Sequence, residues 1–372
     1  MDAHANERES LKTRILALIA ACADGSRHDA QRDALLQDLA RYQARTIPAY
    51  ARFAAQRKVH AEAAGLDQIP ALPTDAFRFT RIASHDERDD VRCFVSSGTT
   101  QAERSRHPFR DLTIYDKAAY AAARFALFPD RERMPLVIIA PSEQALPTSS
   151  LSYMLARFVE WFGEASSVNV WREDMLDLHA LSEVLTNAEM RNTPLAILGT
   201  SFAFVHAVDG LEGSRFELPR GSRIMQTGGF KGRSRELDPE AMRSLLSESF
   251  GVEDAMIVAE YGMTELSSQL YETTLRAALL GQASGPRRLW IPGWLRAAPV
   301  DPETLLTRSD PQPGLLRVDD AANLDSVSCI QTADVSYYVQ DGVVVTGRAQ
   351  GAIARGCSIS ADELLGSSHA KS

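Results

Sequence analysis

The segment VAEYGMTELSSQLY, residues 258–271, places an aromatic ring, a hydroxyl and a carboxylate directly after an apolar run. If that run is a strand of an open parallel sheet, the three side chains lie at its carboxyl end, where such sheets bind ligands. Glu265 could then hold Mg²⁺, Thr264 could donate to a phosphate and Tyr261 could pack on a base. The alternative is a helix start at which Thr264 is only the cap, which leaves the other two residues unexplained.

A second candidate is VSSGTTQAERSR, residues 95–106, where an apolar run ends in four hydroxyl residues around a glycine and arginines follow. Hydroxyl and main-chain donors in such a loop suit the binding of phosphate oxygens. The loop lacks the lysine of the usual nucleotide-binding P-loop, so an ordinary polar turn is the alternative. The candidate phosphate-binding residues are Ser96, Ser97, Gly98, Thr99 and Thr100.

A third candidate is TGGFKG, residues 227–232, at the end of another apolar run. The paired glycines Gly228 and Gly229 would let the main chain approach a flat ligand closely, and Lys231 would supply a positive charge beside it. The alternative is a tight turn with a solvated lysine.

The elements that must position these segments alternate between short apolar runs and helical stretches. Strands are predicted at RCFVSS, PLVIIA, LAILG, SRIMQTG and AMIVAEYG, and helices at 115–127, 150–162, 239–249 and 265–280. This alternation predicts an α/β fold around a mostly parallel sheet. In the amino-terminal region, before this α/β part, apolar residues recur at helical spacing with breaks near ADGSRHD and at Pro48, which predicts separate helices there. We expect a helical region at 1–68, an α/β nucleotide-binding core at 69–286 and a small β-rich subdomain at 287–372.

Composition limits the classes of partner and compartment. The chain has 372 residues, 45% of them hydrophobic, and a formal net charge of −9, which argues against a nucleic-acid partner. The charged amino terminus lacks a secretory signal, and no apolar run reaches the roughly 20 residues of a membrane span, so a cytoplasmic protein is expected. The four cysteines are too scattered to predict a zinc site or a disulfide framework: Cys22, Cys93, Cys329 and Cys357.

Five motifs occur together in a fixed order: SSGTT, TGGFK, AEYGMTE, the TAD at 332–334 and the TGR at 346–348. In this order the chain resembles the adenylate-forming superfamily of acyl-CoA synthetases, luciferases and peptide-synthetase adenylation domains. Within the superfamily it is most similar to the acyl-protein synthetase (LuxE-type) family, through IPALPTDAF, GMTELSSQLY, PGWLRAAPVDPETL and GRAQGAIARGCSISADEL. The resemblance covers nearly the whole chain.

The resemblance implies ATP and Mg²⁺ as cofactors and distributes the roles along the chain. The hydroxyl loop 96–100 would contact the ATP phosphates, Gly228 and Gly229 would lie on the adenine side, and Tyr261 would lie near the base. Thr264 would contact the α-phosphate and Glu265 would hold Mg²⁺. The remaining nucleotide-binding residues would be Gly262, Met263, Asp334 at the ribose hydroxyls and Arg348 at the ribose or phosphate. Gln101 and Ala333 stand where many relatives have glycine.

The resemblance also implies a reaction, in which an acyl-AMP forms and its acyl group passes through Cys357 to a partner protein such as a reductase subunit or carrier protein. A thiol suits that step because thiolate is strongly nucleophilic. Full-length adenylating relatives add a lid domain with a catalytic lysine, which this chain is expected to lack; Lys231 is the candidate replacement. The alternatives are a coenzyme A or amide ligase without a covalent acyl-enzyme, and a non-catalytic nucleotide-binding subunit.

The carboxylic acid substrate is not defined by the sequence. The segment LGTSFAFVHAVDG, residues 198–210, supplies Phe202, Phe204 and Val205, which could line an apolar acyl pocket. The same three residues are equally suited to a hydrophobic core.

Overall fold

The computed structural model describes residues 3–57, 65–97, 104–172, 175–228, 237–283, 285–308 and 312–349. The helices are α1 (Ala3–Ala21), α2 (Asp29–Thr46), α3 (Pro48–Gln56), α4 (Ala76–Phe79), α5 (Thr113–Ala126), α6 (Ser150–Phe162), α7 (Leu178–Met190), α8 (Ser201–Gly210), α9 (Pro239–Phe250) and α10 (Thr274–Leu279). None of the helices in these ranges is long and apolar enough to cross a membrane.

The strands are mostly short. They are β1 (Leu72–Pro73), β2 (Arg92–Val95), β3 (Arg106–Phe109), β4 (Leu136–Ile139), β5 (Val168–Asn169), β6 (Trp171–Arg172), β7 (Met175–Leu176), β8 (Ala196–Thr200), β9 (Arg223–Thr227), β10 (Ile257–Tyr261), β11 (Leu270–Glu272), β12 (Leu289–Trp290), β13 (Leu295–Val300), β14 (Gly314–Asp320), β15 (Cys329–Val339) and β16 (Gly342–Arg348).

The chain divides into two compact units. The first unit contains the described residues of Met1–Ala121, Met263–Ser268 and Trp290–Ser372, and the second those of Ala122–Gly262 and Gln269–Leu289. This grouping differs from the three expected segments, because the amino-terminal helices pack with the carboxyl-terminal strands. The side chain of Gln43 on α2 donates to the main-chain oxygen of Asn323 at 2.7 Å and accepts from the amide of Ser328 at 3.0 Å.

The second unit is built on a parallel sheet in the order β5-β4-β8-β9-β10, with β11 antiparallel beside β10. Helices α6 to α9 lie in the connections between successive parallel strands, which is why β4 is buried along its whole length. Thr200, Thr227 and Glu260 are register neighbours at the carboxyl ends of β8, β9 and β10. The predicted α/β fold with a mostly parallel sheet is confirmed.

The first unit combines the amino-terminal helices with antiparallel strands. Its sheet has the order β13-β14-β15-β16, and β1 pairs in parallel with β15. A separate hairpin pairs β2 with β3. As the sequence predicts, α1 ends before the ADGSRHD segment and α3 begins at Pro48, where a proline fits the first helical position.

The predicted helix at 265–280 is wrong. After Tyr261 the chain makes a turn, returns as β11 and forms only the short α10. The main-chain amides of Ser267 and Ser268 donate to the buried carboxylate of Asp320 at 3.1 and 2.9 Å, so these donors are not available for a helix. Leu270 then pairs with Tyr261 at the edge of the parallel sheet.

Candidate functional site

In the second unit the candidate residues follow the carboxyl ends of β9 and β10. Gly228 comes directly after Thr227, and Tyr261 and Gly262 come directly after Glu260. Thr227 and Glu260 face each other in the register of the two strands. The structure therefore brings Gly228, Tyr261 and Gly262 to one edge of the sheet, the edge at which parallel α/β sheets bind their ligands.

A buried carboxyl group joins the two strand ends. The Thr227 hydroxyl donates a hydrogen bond to Oε2 of Glu260. Burial raises the pKa of Glu260 to about 7, and the bond from Thr227 only partly opposes this. A Cβ atom at Gly262 would lie 2.5 Å from Oε1 of the same carboxyl, so a larger residue there would require the Glu260 side chain to shift.

Gly228 is held by the neighbouring strand connection. The hydroxyl of Ser201, the first residue of α8, lies within hydrogen-bond distance of two acceptors, the main-chain oxygen of Gly228 at 2.9 Å and Oε1 of Gln226, which share its single proton. Gly228 has φ +71°, a left-handed conformation that favours glycine. Its partners in the predicted motif, Gly229 and Lys231, lie outside the described residues.

In the first unit the hydroxyl loop begins at the end of the β2–β3 hairpin. The amide of Ser96 donates to the main-chain oxygen of Ser105 at 3.0 Å, and the amide of Ser105 donates to the Ser96 hydroxyl at 2.8 Å. Ser97 follows as an exposed residue. The other three members of the predicted loop, Gly98, Thr99 and Thr100, lie outside the described residues.

The same hairpin contacts the turn that carries Thr264 and Glu265. Nδ1 of His107 lies 2.8 Å from the main-chain oxygen of Thr264. Burial lowers the pKa of His107 to about 4, so its ring is neutral at physiological pH. Because a carbonyl oxygen only accepts, Nδ1 of this neutral ring carries the proton.

Glu265 is buried, with 6% of its surface exposed. Burial raises the pKa of its carboxyl, while the Ser105 side chain and the charges of Arg348 and Arg78 act in the opposite direction. The Asn323 side chain donates to the main-chain oxygen of Glu265 at 2.9 Å. The turn is therefore fixed through its main chain on both sides.

Asp334 and Arg348 also lie together in the first unit. They are register neighbours on β15 and β16, and the Arg348 Nε atom is 3.5 Å from Asp334 Oδ1. The Arg348 side chain is 71% exposed, so this ion pair adds little stability and its guanidinium is accessible. Met263 precedes Thr264 in the same unit and is partly buried.

The carboxylate of Glu265 suits a Mg²⁺ site that is completed by a nucleotide. Within the described part of the chain, no cluster of three or more histidine, cysteine, aspartate or glutamate side chains could hold a metal ion. Mg²⁺ bound with a nucleotide needs only one or two carboxylates, because phosphate oxygens and water complete its coordination. The single buried carboxylate of Glu265 fits that requirement.

Two of the candidate acyl-pocket residues belong to the core. Phe204 and Val205 are buried, and Phe204 packs edge to face against Phe250 at 6.4 Å. Phe202 is only partly buried and stacks on His206. A cavity of about 20 Å³ in the first unit has room for about one water molecule and not for an acyl chain. It is lined by His107, Phe109, Asp111, Tyr115, Asn323 and Asp325, among others.

Cys357 lies outside the described residues. Among the cysteines that the structure describes, Cys22 and Cys329 are buried and Cys93 is partly buried, and all three are free thiols. Burial raises the pKa of both Cys22 and Cys329, which disfavours the reactive thiolate.

Sequence reasoning missed several residues that support the candidate residues. Glu260, Ser201 and Ser105 each contact a candidate residue or its neighbour, and none was singled out. Glu260 and Ser201 share one signal, since each is a polar residue at or next to the end of an apolar run, whereas Ser105 lies between two arginines and carries no such signal. His107 also lies outside every sequence motif.

A family model described as acyl-protein synthetase, LuxE, matches residues 20–366. Two relatives are 21% identical over 277 residues, which cover 73% of this chain and 69% of theirs. They are a long-chain-fatty-acid–luciferin-component ligase of Aliivibrio fischeri and the protein of the same name from Vibrio harveyi. The family resemblance and the expectation of a ligase are confirmed.

The fold is similar to solved structures of 2-hydroxyisobutyryl-CoA ligase. An open conformation in complex with 2-HIB-AMP and CoA aligns with a TM-score of 0.63 and 13% identity, covering 88% of this chain and 76% of that one. A second structure of this ligase, in the postadenylation state with 2-HIB-AMP, also aligns with a TM-score of 0.63 and covers 86% of this chain and 67% of its own. At this identity the likeness concerns the fold alone, and it agrees with the expected adenylate-forming architecture.

Proposed function

Because this chain belongs to the acyl-protein synthetase (LuxE) family, we propose that it activates a fatty carboxylic acid with ATP and passes the acyl group through Cys357 to a partner protein. The observation that carries the proposal is the extent of the family match. Residues 20–366 include the hydroxyl loop, the strand-end motifs and the segment around Cys357.

The reaction has two steps. In the first, an oxygen of the carboxylate attacks the α-phosphorus of ATP, the bond to the β-phosphate breaks, and acyl-AMP and pyrophosphate form. In the second, the thiolate of Cys357 attacks the acyl carbonyl, AMP leaves, and the acyl group is held as a thioester. Attack by a nucleophile of the acceptor protein then releases the thiol.

The nucleotide roles follow from the family motifs and are supported by the local geometry. The Ser201 hydroxyl contacts the main-chain oxygen of Gly228, and no atom of the described residues lies within 4 Å of a Cβ added there, which suits close approach of a base. The exposed guanidinium of Arg348 beside Asp334 suits a ribose or phosphate oxygen. The proposed nucleotide-binding residues are Ser96, Ser97, Gly98, Thr99, Thr100, Gly228, Gly229, Tyr261, Gly262, Met263, Thr264, Asp334 and Arg348.

We propose Glu265 as the carboxylate that holds Mg²⁺. When bound, Mg²⁺ would neutralise charge on the phosphate oxygens of ATP. The protein itself holds the main chain at this carboxylate in place: His107 donates to the main-chain oxygen of Thr264, and Asn323 donates to that of Glu265. Lys231 is proposed as the cation near the reacting carboxylate.

The substrate and acceptor are proposed as classes. The two relatives are named for a long-chain fatty acid and a luciferin component, which supports a fatty acid as substrate here. The acceptor is proposed to be a protein, since the family description names an acyl-protein synthetase.

The test is a panel of carboxylic acids of increasing chain length in an ATP–pyrophosphate exchange assay. We expect exchange that requires Mg²⁺ and is strongest with fatty acids. Acyl labelling that survives denaturation and is released by neutral hydroxylamine would identify the thioester. Exchange without such labelling would favour a coenzyme A or amide ligase, and absence of exchange with every acid would favour a non-catalytic subunit.

A further inference from the structure

We propose that His107 is a positioning residue that fixes the main chain at Thr264, and thereby the adjacent Glu265, for the use of ATP. The inference rests on the proposed function and adds a residue to it. The contact is long-range, since Nδ1 of His107 meets the Thr264 carbonyl across 157 residues of sequence at 2.8 Å. No motif contains His107, so the role follows from the fold alone.

The imidazole is held in one orientation. His107 is 1% exposed, and its ring lies 4.3 Å from the ring of Phe109 and 6.0 Å from that of Phe77, measured between centroids. A ring packed on two sides cannot rotate to offer its other nitrogen without disturbing these contacts. The Nδ1–H group is therefore aimed at the Thr264 oxygen before any ligand binds.

The strand that carries His107 also closes the hydroxyl loop. His107 pairs with Phe94 in the β2–β3 hairpin, and just beyond this pair Ser96 and Ser105 exchange two hydrogen bonds. Ser105 and His107 are two residues apart, so in extended chain they point to the same side. Ser105 acts on the Glu265 carboxyl and His107 binds the Thr264 carbonyl. Within the first unit, one strand thus ties the start of the loop to two consecutive residues of the turn.

A purely structural histidine would be expected to need its size and not a particular nitrogen. The positioning role needs a hydrogen-bond donor where Nδ1 lies. An asparagine side chain places its NH₂ group near the site of Nδ1, whereas a glutamine places it near the site of Nε2. His107→Asn and His107→Gln therefore form a matched pair, and Cys93→Ala removes a partly buried side chain of the same hairpin without touching the donor.

The experiment measures ATP–pyrophosphate exchange in the full chain, with the KM of ATP and of a fatty acid determined separately for each variant. We expect His107→Gln to raise the KM of ATP about tenfold, and His107→Asn to stay within about threefold of wild type. The KM of the fatty acid should not change in either. Equal KM values for ATP in the two variants, or a rise in Cys93→Ala as large as in His107→Gln, would overturn the proposal.

A second readout does not depend on activity. In ¹⁵N-histidine NMR of the protein without ligand, His107 should carry its proton on Nδ1 and remain neutral down to about pH 5. A proton on Nε2 would overturn the proposal. Calorimetry of ATP binding to wild type and to the two His107 variants distinguishes failure of the proposed function from failure of the His107 proposal. If wild type shows no exchange with any acid, the proposed function fails. The role of His107 is then tested by ATP binding alone, which should be weaker in His107→Gln than in wild type and His107→Asn.

Discussion

The hydroxyl of Thr227 donates a hydrogen bond to the buried carboxyl of Glu260, its register neighbour on the adjacent parallel strand. Burial raises the pKa of Glu260 from the ordinary 4.5 to about 7. The folded protein therefore keeps a proton on Glu260 over a pH range in which the unfolded chain has lost it. This pair makes the stability of the second unit depend on pH.

We predict that Glu260→Gln removes part of the pH dependence of unfolding. The stability contributed by the raised pKa is complete below about pH 4.5 and is lost as the pH rises through about 7. Relative to the uncharged variant, wild type should thus lose up to roughly 3 kcal/mol of unfolding free energy over this range. Denaturant unfolding at several pH values measures this change in unfolding free energy. The control is Glu248→Gln, which removes an exposed carboxylate on α9. Parallel pH profiles for wild type and Glu260→Gln would refute the prediction.

The sequence predicted the elements that depend on local apolar runs. The strands now seen as β4, β8, β9 and β10 were all expected, because each contains a short apolar stretch and is largely buried. The helix predicted at 265–280 failed because Leu270 begins β11, which pairs antiparallel with β10. In addition, the main-chain amides of Ser267 and Ser268 donate to the carboxylate of Asp320, far along the chain.

Contacts across the fold were not predictable in this way. The sequence motifs named Thr264 and Glu265, but the partner of Thr264 lies 157 residues away in β3. Glu260 was passed over because its burial depends on a strand that ends 33 residues earlier. Residue types can indicate the chemistry of a motif, whereas the groups that fix the motif in place become visible only when the strands are paired.

We predict that Glu265→Gln lowers Mg²⁺-dependent ATP–pyrophosphate exchange at least about tenfold, or roughly 1.4 kcal/mol, because it removes the only charge of this carboxylate. The fold should persist, since the amide is nearly isosteric. Circular dichroism checks the fold, and a Mg²⁺ titration of the exchange rate checks the metal. The exposed Glu253→Gln serves as the control. Exchange that survives in Glu265→Gln at the wild-type rate would remove Glu265 from the site.

We predict that Gly228→Ala and Gly213→Ala cost similar stability but differ in their effect on ATP. Both glycines have positive φ, +71° and +80°, and among the described residues no neighbouring atom lies within 4 Å of an added Cβ at either position. Each substitution should therefore cost about 1 kcal/mol of backbone strain, measured by thermal or denaturant unfolding. Only Gly228 follows a strand end of the candidate site, so only Gly228→Ala should raise the KM of ATP. An equal effect of both on KM would mean that the strand-end position is not special.

The separation of activation from transfer is the basis of the prediction for Cys357. Only the second step uses a thiol, so Cys357→Ala should keep ATP–pyrophosphate exchange near the wild-type rate and abolish acyl transfer to an acceptor protein. Cys93→Ala, which removes a partly buried thiol of the β2–β3 hairpin, should change neither step. Loss of exchange in Cys357→Ala would mean that the two steps are not separable.

The covalent acyl intermediate on Cys357 can be detected by intact-protein mass spectrometry after incubation with ATP, Mg²⁺ and a fatty acid. We expect one acyl adduct on wild type, located at Cys357 by peptide mapping, released by neutral hydroxylamine and absent from Cys357→Ala. An enzyme that supports exchange with the same acid but shows no adduct, or carries it on Cys22, Cys93 or Cys329, would contradict this expectation.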